Sequence, residues 1–402
     1  MTSTALILFR SHDSVTDGEY LNKILSIFNG NGFPISKVEM LSYADDLAFK
    51  RSIDSLKDFV DNLIVIFNPQ VKFSIKEIIA ESCDSPLVEN ENAKKFLDAV
   101  CKMEGREYPE EFAYIPMDAT LIPNVTGAYQ GFMADDKEFT LALFPNGIKE
   151  ISVMTDKYLA PYLEEKFGLR RKRFTLKYMG EESKAIEVIE RAKEVCECKF
   201  FYSVSEEFGD VKLDFVFENY DEREGSSAMR YILSELREDV YAEYDVSLAE
   251  RLFDILTLRG VKLSTAESFT SGNIASRIVK NSGASKVFHE GIVCYSNKSK
   301  IARLGVKAED LQREGVVSSI VAYQMALGLL RDSECDIAIT TTGIAGPKSD
   351  DTDKPVGLCY IAVGMRDGIH TYKMNLSGNR ESITEKAINR AMFLAIKKLK
   401  KL

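Results

Sequence analysis

The stretch from Thr265 to Gly272 constrains this chain more than any other, because it joins a strand pattern to a helix pattern through a serine- and threonine-rich turn. A short β-like run at 261–265 precedes the turn, and apolar residues at helical spacing follow it over 274–279. Ser268 is therefore predicted to lie at a strand-to-helix turn, where backbone N–H groups and the helix dipole can hold an oxyanion or a phosphate. The octapeptide alone also fits a plain helix N-cap.

Length and composition limit the class of protein. A chain of 402 residues predicts two or three domains. Its 45% hydrophobic and 28% charged residues are typical of a soluble globular protein. The formal net charge is −10, so the chain as a whole lacks the basic footprint of a non-specific nucleic-acid binder, and we expect no nucleic-acid partner.

The cysteines and the first residues of the chain indicate in which cellular compartment the protein is expected. The seven cysteines form no Cys-x-x-Cys pair and are odd in number, which predicts reduced thiols in a cytosolic protein. The apolar run Ala5–Phe9 has no basic n-region before it and is too short to span a membrane, so we expect a cytoplasmic protein with no membrane partner. Three scattered histidines give no indication of a zinc site.

The first 165 residues alternate strand and helix patterns. Ala5–Phe9 and Leu63–Phe67 are predicted strands, while Tyr20–Leu25 and a segment from Ser74 are predicted helices. Such alternation favours a mainly parallel sheet with helices on both faces.

Two further regions follow this one. Residues 170–242 open with the basic patch Arg170–Arg173 and contain a predicted helix at Ile186–Cys196 with alternating strands at 200–204 and 211–217, which indicates a half-exposed antiparallel sheet. Residues 246–402 open with a helix at Leu248–Leu258 that Gly260 is predicted to cap. Strands are predicted there at 336–340 and 358–363, and a closing helix at 385–398. We therefore predict an α/β protein of three domains, 1–165, 170–242 and 246–402.

Three more motifs accompany the Ser268 turn in a fixed order. They are Tyr-Ser-Asn-Lys-Ser-Lys at 295–300, Thr-Thr-Gly-Ile-Ala-Gly-Pro at 341–347, and Lys-Pro-Val-Gly at 354–357. Together the four motifs resemble the C-terminal domain of the CinA family, the nicotinamide-nucleotide amidohydrolases, and on them the chain is identified as a member of that family.

The N-terminal part resembles the CinA N-terminal domain, which shares the molybdopterin-binding fold, through Asp118–Asn124 with Gly127 and Gly131. Three family loops are altered, at Ser11–Val15, Asn68–Lys72 and Leu143–Gly147. The altered loops lack most of the glycines that approach phosphate and the carboxylates that hold a divalent cation. We therefore expect a scaffold or dimerisation domain rather than the ADP-ribose hydrolysis of some relatives.

The middle region resembles a small KH-like domain but has no Gly-x-x-Gly loop, so no RNA site is expected. The resemblance also implies a homodimer built through the N-terminal domain.

The implied reaction is hydrolysis of the carboxamide of nicotinamide mononucleotide, which needs a nucleophile, a proton carrier and an oxyanion hole. The resemblance implies Ser268 as the nucleophile and Lys300 as the base, with no cofactor and no metal. Lys298 is an alternative candidate for the base, but we expect it to be solvated. His289 is the only histidine near these motifs that could be the partner of Ser268, and a surface or packing role explains it equally well. Tyr295 either contacts the substrate and orients the lysine or is a core aromatic.

The remaining site residues are also implied by the resemblance. Thr342 joins the catalytic set, and the segment from it to Gly346 is interpreted as the oxyanion or phosphate loop. Lys354 and Arg380 are candidates for the substrate phosphate, or ordinary surface charges. Asp350, Asp351 and Asp353 fit a cation site or an exposed loop. The full substrate-binding set is Thr265, Glu267, Thr270, Gly272, Asn297, Gly343, Ala345, Gly346, Lys354 and Arg380.

Two alternative functions stay open. One is ADP-ribose pyrophosphatase activity in the N-terminal domain, which requires divalent cation. The other is a non-catalytic, competence-associated nucleotide-binding protein, against which the intact Ser268 and Lys300 count.

Overall fold

The computed structural model describes residues 3–9, 17–43, 45–71, 74–136, 139–196, 199–218, 222–332, 334–349 and 353–400. The chain divides into two compact units, one of Met1–Phe174, Lys193–Val204 and Asp214–Ala228, the other of Thr175–Ala192, Ser205–Leu213 and Met229–Leu402. The α/β class is confirmed. Residues 170–242 are shared between the two units, and the three-domain arrangement stays a prediction.

The first part of the chain forms eight strands and six helices within the described residues. In chain order these are β1 (Thr4–Phe9), α1 (Asp17–Gly30), β2 (Ile35–Leu41), α2 (Asp46–Lys57), β3 (Asn62–Phe67), α3 (Ile75–Ser82), β4 (Leu87–Glu89), α4 (Glu91–Glu104), β5 (Tyr114–Pro116), β6 (Thr120–Ile122), β7 (Gly131–Asp136), β8 (Phe139–Pro145), α5 (Ile148–Met154) and α6 (Ala160–Lys166). Six strands make one sheet in the order β2-β1-β3-β8-β7-β6, parallel from β2 to β8 and antiparallel beyond.

Strand β1 shows why this sheet is covered on both faces. Its side chains alternate between two apolar clusters, with Ala5 and Ile7 in one and Leu6 and Leu8 in the other. A continuous apolar run is typical of a parallel strand buried on both sides. The predicted strands and helices of this part are confirmed.

One assignment in this part needs correction. Leu143–Pro145 forms the end of strand β8 rather than a loop, because all three residues are buried where β8 pairs with the parallel strand β3. Of the other altered loops, Ser11–Val15 lies outside the described residues, and so does Lys72.

The middle of the chain comprises β9 (Arg171–Tyr178), α7 (Glu182–Val195), β10 (Phe200–Glu207), β11 (Asp210–Glu218), α8 (Glu222–Leu236) and β12 (Val240–Ala242). Its four strands form a sheet in the order β10-β11-β9-β12. In the basic patch, the side chain of Arg171 is buried and donates to the Glu218 carboxylate at 2.6 Å and to the Gly32 carbonyl at 2.8 Å.

The last part of the chain contains the Ser268 turn. Its elements are α9 (Leu248–Arg259), β13 (Leu263–Glu267), α10 (Asn273–Val279), β14 (Phe288–Val293), α11 (Asn297–Leu304), α12 (Ala308–Glu314), α13 (Ser319–Leu329), β15 (Ile337–Gly343), β16 (Leu358–Met365), β17 (Gly368–Asn375) and α14 (Arg380–Lys400). The five strands are ordered β14-β13-β15-β16-β17, with β14, β13 and β15 parallel and the last two antiparallel. The predicted helices, strands and Gly260 cap are confirmed.

This sheet is covered on both faces by helices. Residues of α9, α10 and α14 bury one face, while α11, α12 and α13 pack against the other. Strands β13 and β15 run side by side, so that Glu267 at the end of β13 pairs with Thr341. Because parallel strands present their carboxyl ends at the same edge, loops from both strands meet there. Among the described helices, none is both long and apolar enough to cross a membrane.

Candidate active site

Ser268 and Lys300 meet at the carboxyl edge of the last sheet. Ser268 follows β13 directly, and its backbone N–H donates to the Thr341 carbonyl of β15 at 3.1 Å. The Lys300 Nζ lies 3.1 Å from the Ser268 Oγ. Lys300 is fully buried and Ser268 is 8% exposed. The two residues that the motifs singled out are therefore in hydrogen-bond contact, although they lie 32 positions apart.

Helix α11 places Lys300 in this position. Ser296 caps the helix by accepting a hydrogen bond from the Ser299 N–H at 3.2 Å, and Lys300 lies one turn further, on the buried face. Its Nζ also contacts the carbonyl oxygens of Cys294 at 2.7 Å and Tyr295 at 3.2 Å. Burial lowers the pKa of the Lys300 ammonium from its ordinary value, an effect that the neighbouring Cys294 thiol partly opposes.

The three neighbours of the Lys300 nitrogen fix the direction of its lone pair. A carbonyl oxygen can only accept hydrogen bonds, so the Cys294 and Tyr295 carbonyls take the two N–H bonds of a neutral amine. The lone pair is then left for the third neighbour, the Ser268 hydroxyl. This arrangement suits a lysine that removes the hydroxyl proton of a serine.

Three residues of the substrate-binding set lie below the turn. Thr265 and Glu267 are fully buried, because β13 is a central strand that is covered on both faces, and Thr270 in the following turn is fully buried as well. The Thr270 hydroxyl contacts both the Glu267 carboxylate and the Thr341 hydroxyl at 2.7 Å. These side chains therefore support the turn from below, and their direct contact with a substrate stays a prediction.

Three N–H groups at the start of helix α10 are not available for the expected anion site. The N–H groups of Gly272, Ile274 and Ala275 donate to the buried Glu267 carboxylate at 3.0–3.1 Å, so they are not free for an oxyanion or a phosphate. The N–H groups of Phe269 and Thr270, which follow the serine directly, have no acceptor within the described part of the chain.

Two residues of the turn, Ser271 and Phe269, are placed by backbone geometry and by packing. Ser271 has a φ of 58°, in the left-handed region that favours glycine, and Gly272 follows at 88°. Phe269 is 4% exposed and packs with Ala345 and Cys359, away from the surface. Phe269 therefore anchors the turn in the core and does not narrow a pocket.

Tyr295 is not a core aromatic, because its side chain is 68% exposed. Its carbonyl, and not its ring, contacts Lys300, which leaves the ring available to a ligand. Asn297 and Lys298 at the start of α11 are both exposed. The prediction that Lys298 is solvated agrees with its position.

The segment after β15 has mostly structural contacts. The buried Thr342 donates its hydroxyl to the Val316 carbonyl at 2.8 Å, so this donor is occupied. A Cβ on Gly343 would lie 2.5 Å from the Cys359 Cβ, which explains the glycine by close packing. Gly346 has a φ of 85°, and its carbonyl accepts from Arg380 at 2.6 Å.

The two basic residues that are candidates for binding the substrate phosphate differ in their contacts. Lys354 donates to the carbonyls of Glu314 at 2.6 Å and Val317 at 2.7 Å, so its ammonium ties the chain after α12 to the segment before β16. Arg380 is exposed at the first position of α14 and uses one nitrogen for the Gly346 carbonyl. Arg380 is thus the better placed for an anion. Asp353 is exposed, and Asp350 and Asp351 lie outside the described residues.

His289 is excluded as the partner of Ser268 by its place in the sheet. It lies near the start of β14, which runs parallel to β13, whereas Ser268 follows the end of β13. Four residues of strand separate the two levels by about 13 Å. His289 instead contacts Asp332 at 3.4 Å and, with Glu290, forms a surface group whose ligand atoms lie within 4.8 Å of one another. A count of histidines could not reveal this group, because two of its members are carboxylates.

Comparison with known proteins identifies the region around this site. Residues 245–399 match the family model described as the CinA C-terminal domain. A CinA-like protein of Kosmotoga olearia is 36% identical over 289 residues, which cover 70% of this chain and 68% of that protein. A protein of Caldicellulosiruptor saccharolyticus, provisionally named a competence-damage inducible protein, is 33% identical over 362 residues, 88% of this chain and 86% of that one.

Solved structures also match part of the chain. A CinA superfamily protein from Klebsiella pneumoniae is 32% identical and covers 39% of this chain and 97% of its own, with a TM-score of 0.38. A competence/damage inducible protein from Agrobacterium tumefaciens is 35% identical and covers 39% and 99%, with a TM-score of 0.37.

Proposed function

The chain belongs to the CinA family, and we propose that its C-terminal region hydrolyses nicotinamide mononucleotide to nicotinic acid mononucleotide and ammonia. The observation that carries this proposal is the contact of 3.1 Å between the Lys300 Nζ and the Ser268 Oγ, with two carbonyls orienting the amine. A serine whose hydroxyl contacts a buried basic side chain can attack the carbonyl carbon of an amide.

The first half of the reaction forms an ester. Neutral Lys300 accepts the hydroxyl proton of Ser268 while the Oγ attacks the carboxamide carbon, and the electron pair of the C=O bond moves to oxygen. The N–H groups of Phe269 and Thr270, which have no acceptor among the described residues, are the donors assigned to this oxyanion. The protonated Lys300 then transfers its proton to the departing nitrogen, so that the C–N bond breaks and ammonia leaves.

The second half releases the acid. A water molecule attacks the acyl ester on Ser268, with Lys300 again accepting a proton, and the C–O bond to the serine breaks. Lys300 returns that proton to the serine oxygen, which restores the starting state. Neither half requires a metal, because the chain supplies the nucleophile, the base and the oxyanion donors.

Two exposed side chains support binding of a pyridine nucleotide. The Tyr295 ring is presented to solvent next to Lys300, where it can stack on a cationic pyridine ring. Arg380 keeps donors beyond the one used for Gly346, and a guanidinium matches the geometry of a phosphate. Pairing of two chains through the N-terminal domain stays a prediction.

The test is to incubate the purified chain with nicotinamide mononucleotide and to measure ammonia and nicotinic acid mononucleotide together. We expect equal amounts of both products, with a rate that EDTA leaves unchanged. In a parallel reaction, ADP-ribose with magnesium or manganese should stay intact, because Asn68–Val71 replaces the glycine loop and carboxylates that hold metal and pyrophosphate. Binding of the nucleotide without ammonia release would favour the non-catalytic alternative, and ADP-ribose cleavage alone would favour the pyrophosphatase.

A further inference from the structure

Glu267 is a buried carboxylate whose oxygens are surrounded by donors from the following turn. Its Oε2 accepts from the Thr270 hydroxyl at 2.7 Å and from the N–H groups of Gly272 and Ile274, each at 3.1 Å. Its Oε1 accepts from the Ala275 N–H at 3.0 Å. The side chain has no exposure to solvent.

No basic side chain compensates the charge of this carboxylate within the described part of the chain. The compensation comes from the backbone, because three of the four donors above are N–H groups at the start of α10. A charge held by helix N–H groups is stabilised there by the helix dipole. The carboxylate thus occupies the N-terminus of α10.

We propose that Glu267 is a positioning residue that fixes the Ser268 turn for catalysis. The chain leaves the carboxylate at residue 267 and returns to it at residues 270–275, so Ser268 lies in a loop closed by these hydrogen bonds. The Thr341 carbonyl holds the same loop from β15. The inference rests on the proposed function, since it concerns the geometry of the same nucleophile.

The hydrogen bonds from the α10 N–H groups to Glu267 also determine which donors remain for the oxyanion. With Gly272, Ile274 and Ala275 bound to the carboxylate, the oxyanion is directed to the N–H groups of Phe269 and Thr270. Loss of the carboxylate would release three competing donors within one turn of the serine. The serine oxygen and the oxyanion donors would then no longer be held in one defined position. The rate of the chemical step depends on that position.

The decisive variant is Glu267→Gln, which preserves the size of the side chain but turns one acceptor into a donor that faces N–H groups. We expect kcat for deamidation to fall at least about 30-fold, with KM changed no more than about threefold, because the residue does not touch the substrate. Thr270→Val, which removes one donor and leaves the backbone contacts, should lower kcat by a smaller factor.

A matched control is available in the same region. Glu250 accepts from the Ser247 N–H at 3.0 Å and completes the capping box of α9. Glu250→Gln therefore removes the same kind of helix-end carboxylate without touching the Ser268 turn. This variant should keep the wild-type kcat even where its melting temperature falls.

Amide hydrogen exchange separates this inference from the proposed function. In Glu267→Gln the peptide spanning 268–275 should exchange faster than in the wild type, and in Glu250→Gln it should not. A Glu267→Gln kcat within about threefold of the wild type would overturn the positioning role. If the wild type releases no ammonia, the proposed function fails, and unchanged exchange at 268–275 in Glu267→Gln would then overturn the inference as well.

Discussion

Replacing Ser268 with alanine should reduce kcat for ammonia release by at least about a thousandfold, because no other group can form the ester. The Kd of nicotinamide mononucleotide should change no more than a few-fold. Removing one hydroxyl that points at Lys300 takes away the attacking atom but few contacts to a bound nucleotide. The chemical step and the binding step should therefore separate clearly.

The measurement is kcat from ammonia release beside Kd from equilibrium binding. Ser271→Gly serves as the control, because it removes an exposed hydroxyl of the same turn at a backbone position where φ is 58° and glycine is favoured. This control should retain nearly full activity. A Ser268→Ala protein with more than about a tenth of the wild-type kcat would exclude Ser268 as the nucleophile.

Lys300→Arg should be nearly as damaging as Lys300→Ala, each lowering kcat by at least about a hundredfold. Arginine keeps the positive charge but does not release a proton near neutral pH, so it cannot act as the base. The site also suits an amine better than a guanidinium, because two carbonyls and one hydroxyl surround a single nitrogen.

Lys298→Arg is the matched control for this substitution. Lys298 lies two residues away on the same helix and is exposed, so the same chemical change should leave kcat close to normal. Substantial turnover by Lys300→Arg would mean that the residue acts through its charge, and that the base lies elsewhere.

The sequence predicted the parts of this molecule that depend on local pattern. Continuous apolar runs located β1 and β3, and Gly260 located the end of α9, because strand burial and helix capping are short-range properties. The pairing of Ser268 with Lys300 came from the resemblance of the four motifs to a known family.

The sequence could not predict where each polar side chain of the site points. The resemblance implies that Glu267 binds the substrate, yet its carboxylate turns inward to α10. It makes Lys354 a candidate for the substrate phosphate, with a surface charge as the alternative, yet its ammonium donates to the carbonyls of Glu314 and Val317. Each of these contacts joins segments whose approach depends on tertiary packing, which no local motif encodes.

The same limit applies to Tyr295. As the residue after an apolar strand it equally suited a core position or a surface one, and only the start of α11 turns the ring outward. Its carbonyl contact to Lys300 involves the backbone, on which side-chain identity has little influence.

The most direct test of the Ser268–Lys300 account is the pH dependence of kcat/KM for nicotinamide mononucleotide, measured in EDTA above pH 7, where the substrate phosphate is already ionised (its second pKa is about 6). The base must be neutral, and burial lowers the pKa of Lys300 below the ordinary lysine value of 10.5. The account predicts that kcat/KM rises with pH through this lowered pKa and then levels off, with no loss on chelation. A value of kcat/KM that falls as the pH rises through this range would mean that the protonated lysine is the active form, and would contradict the account.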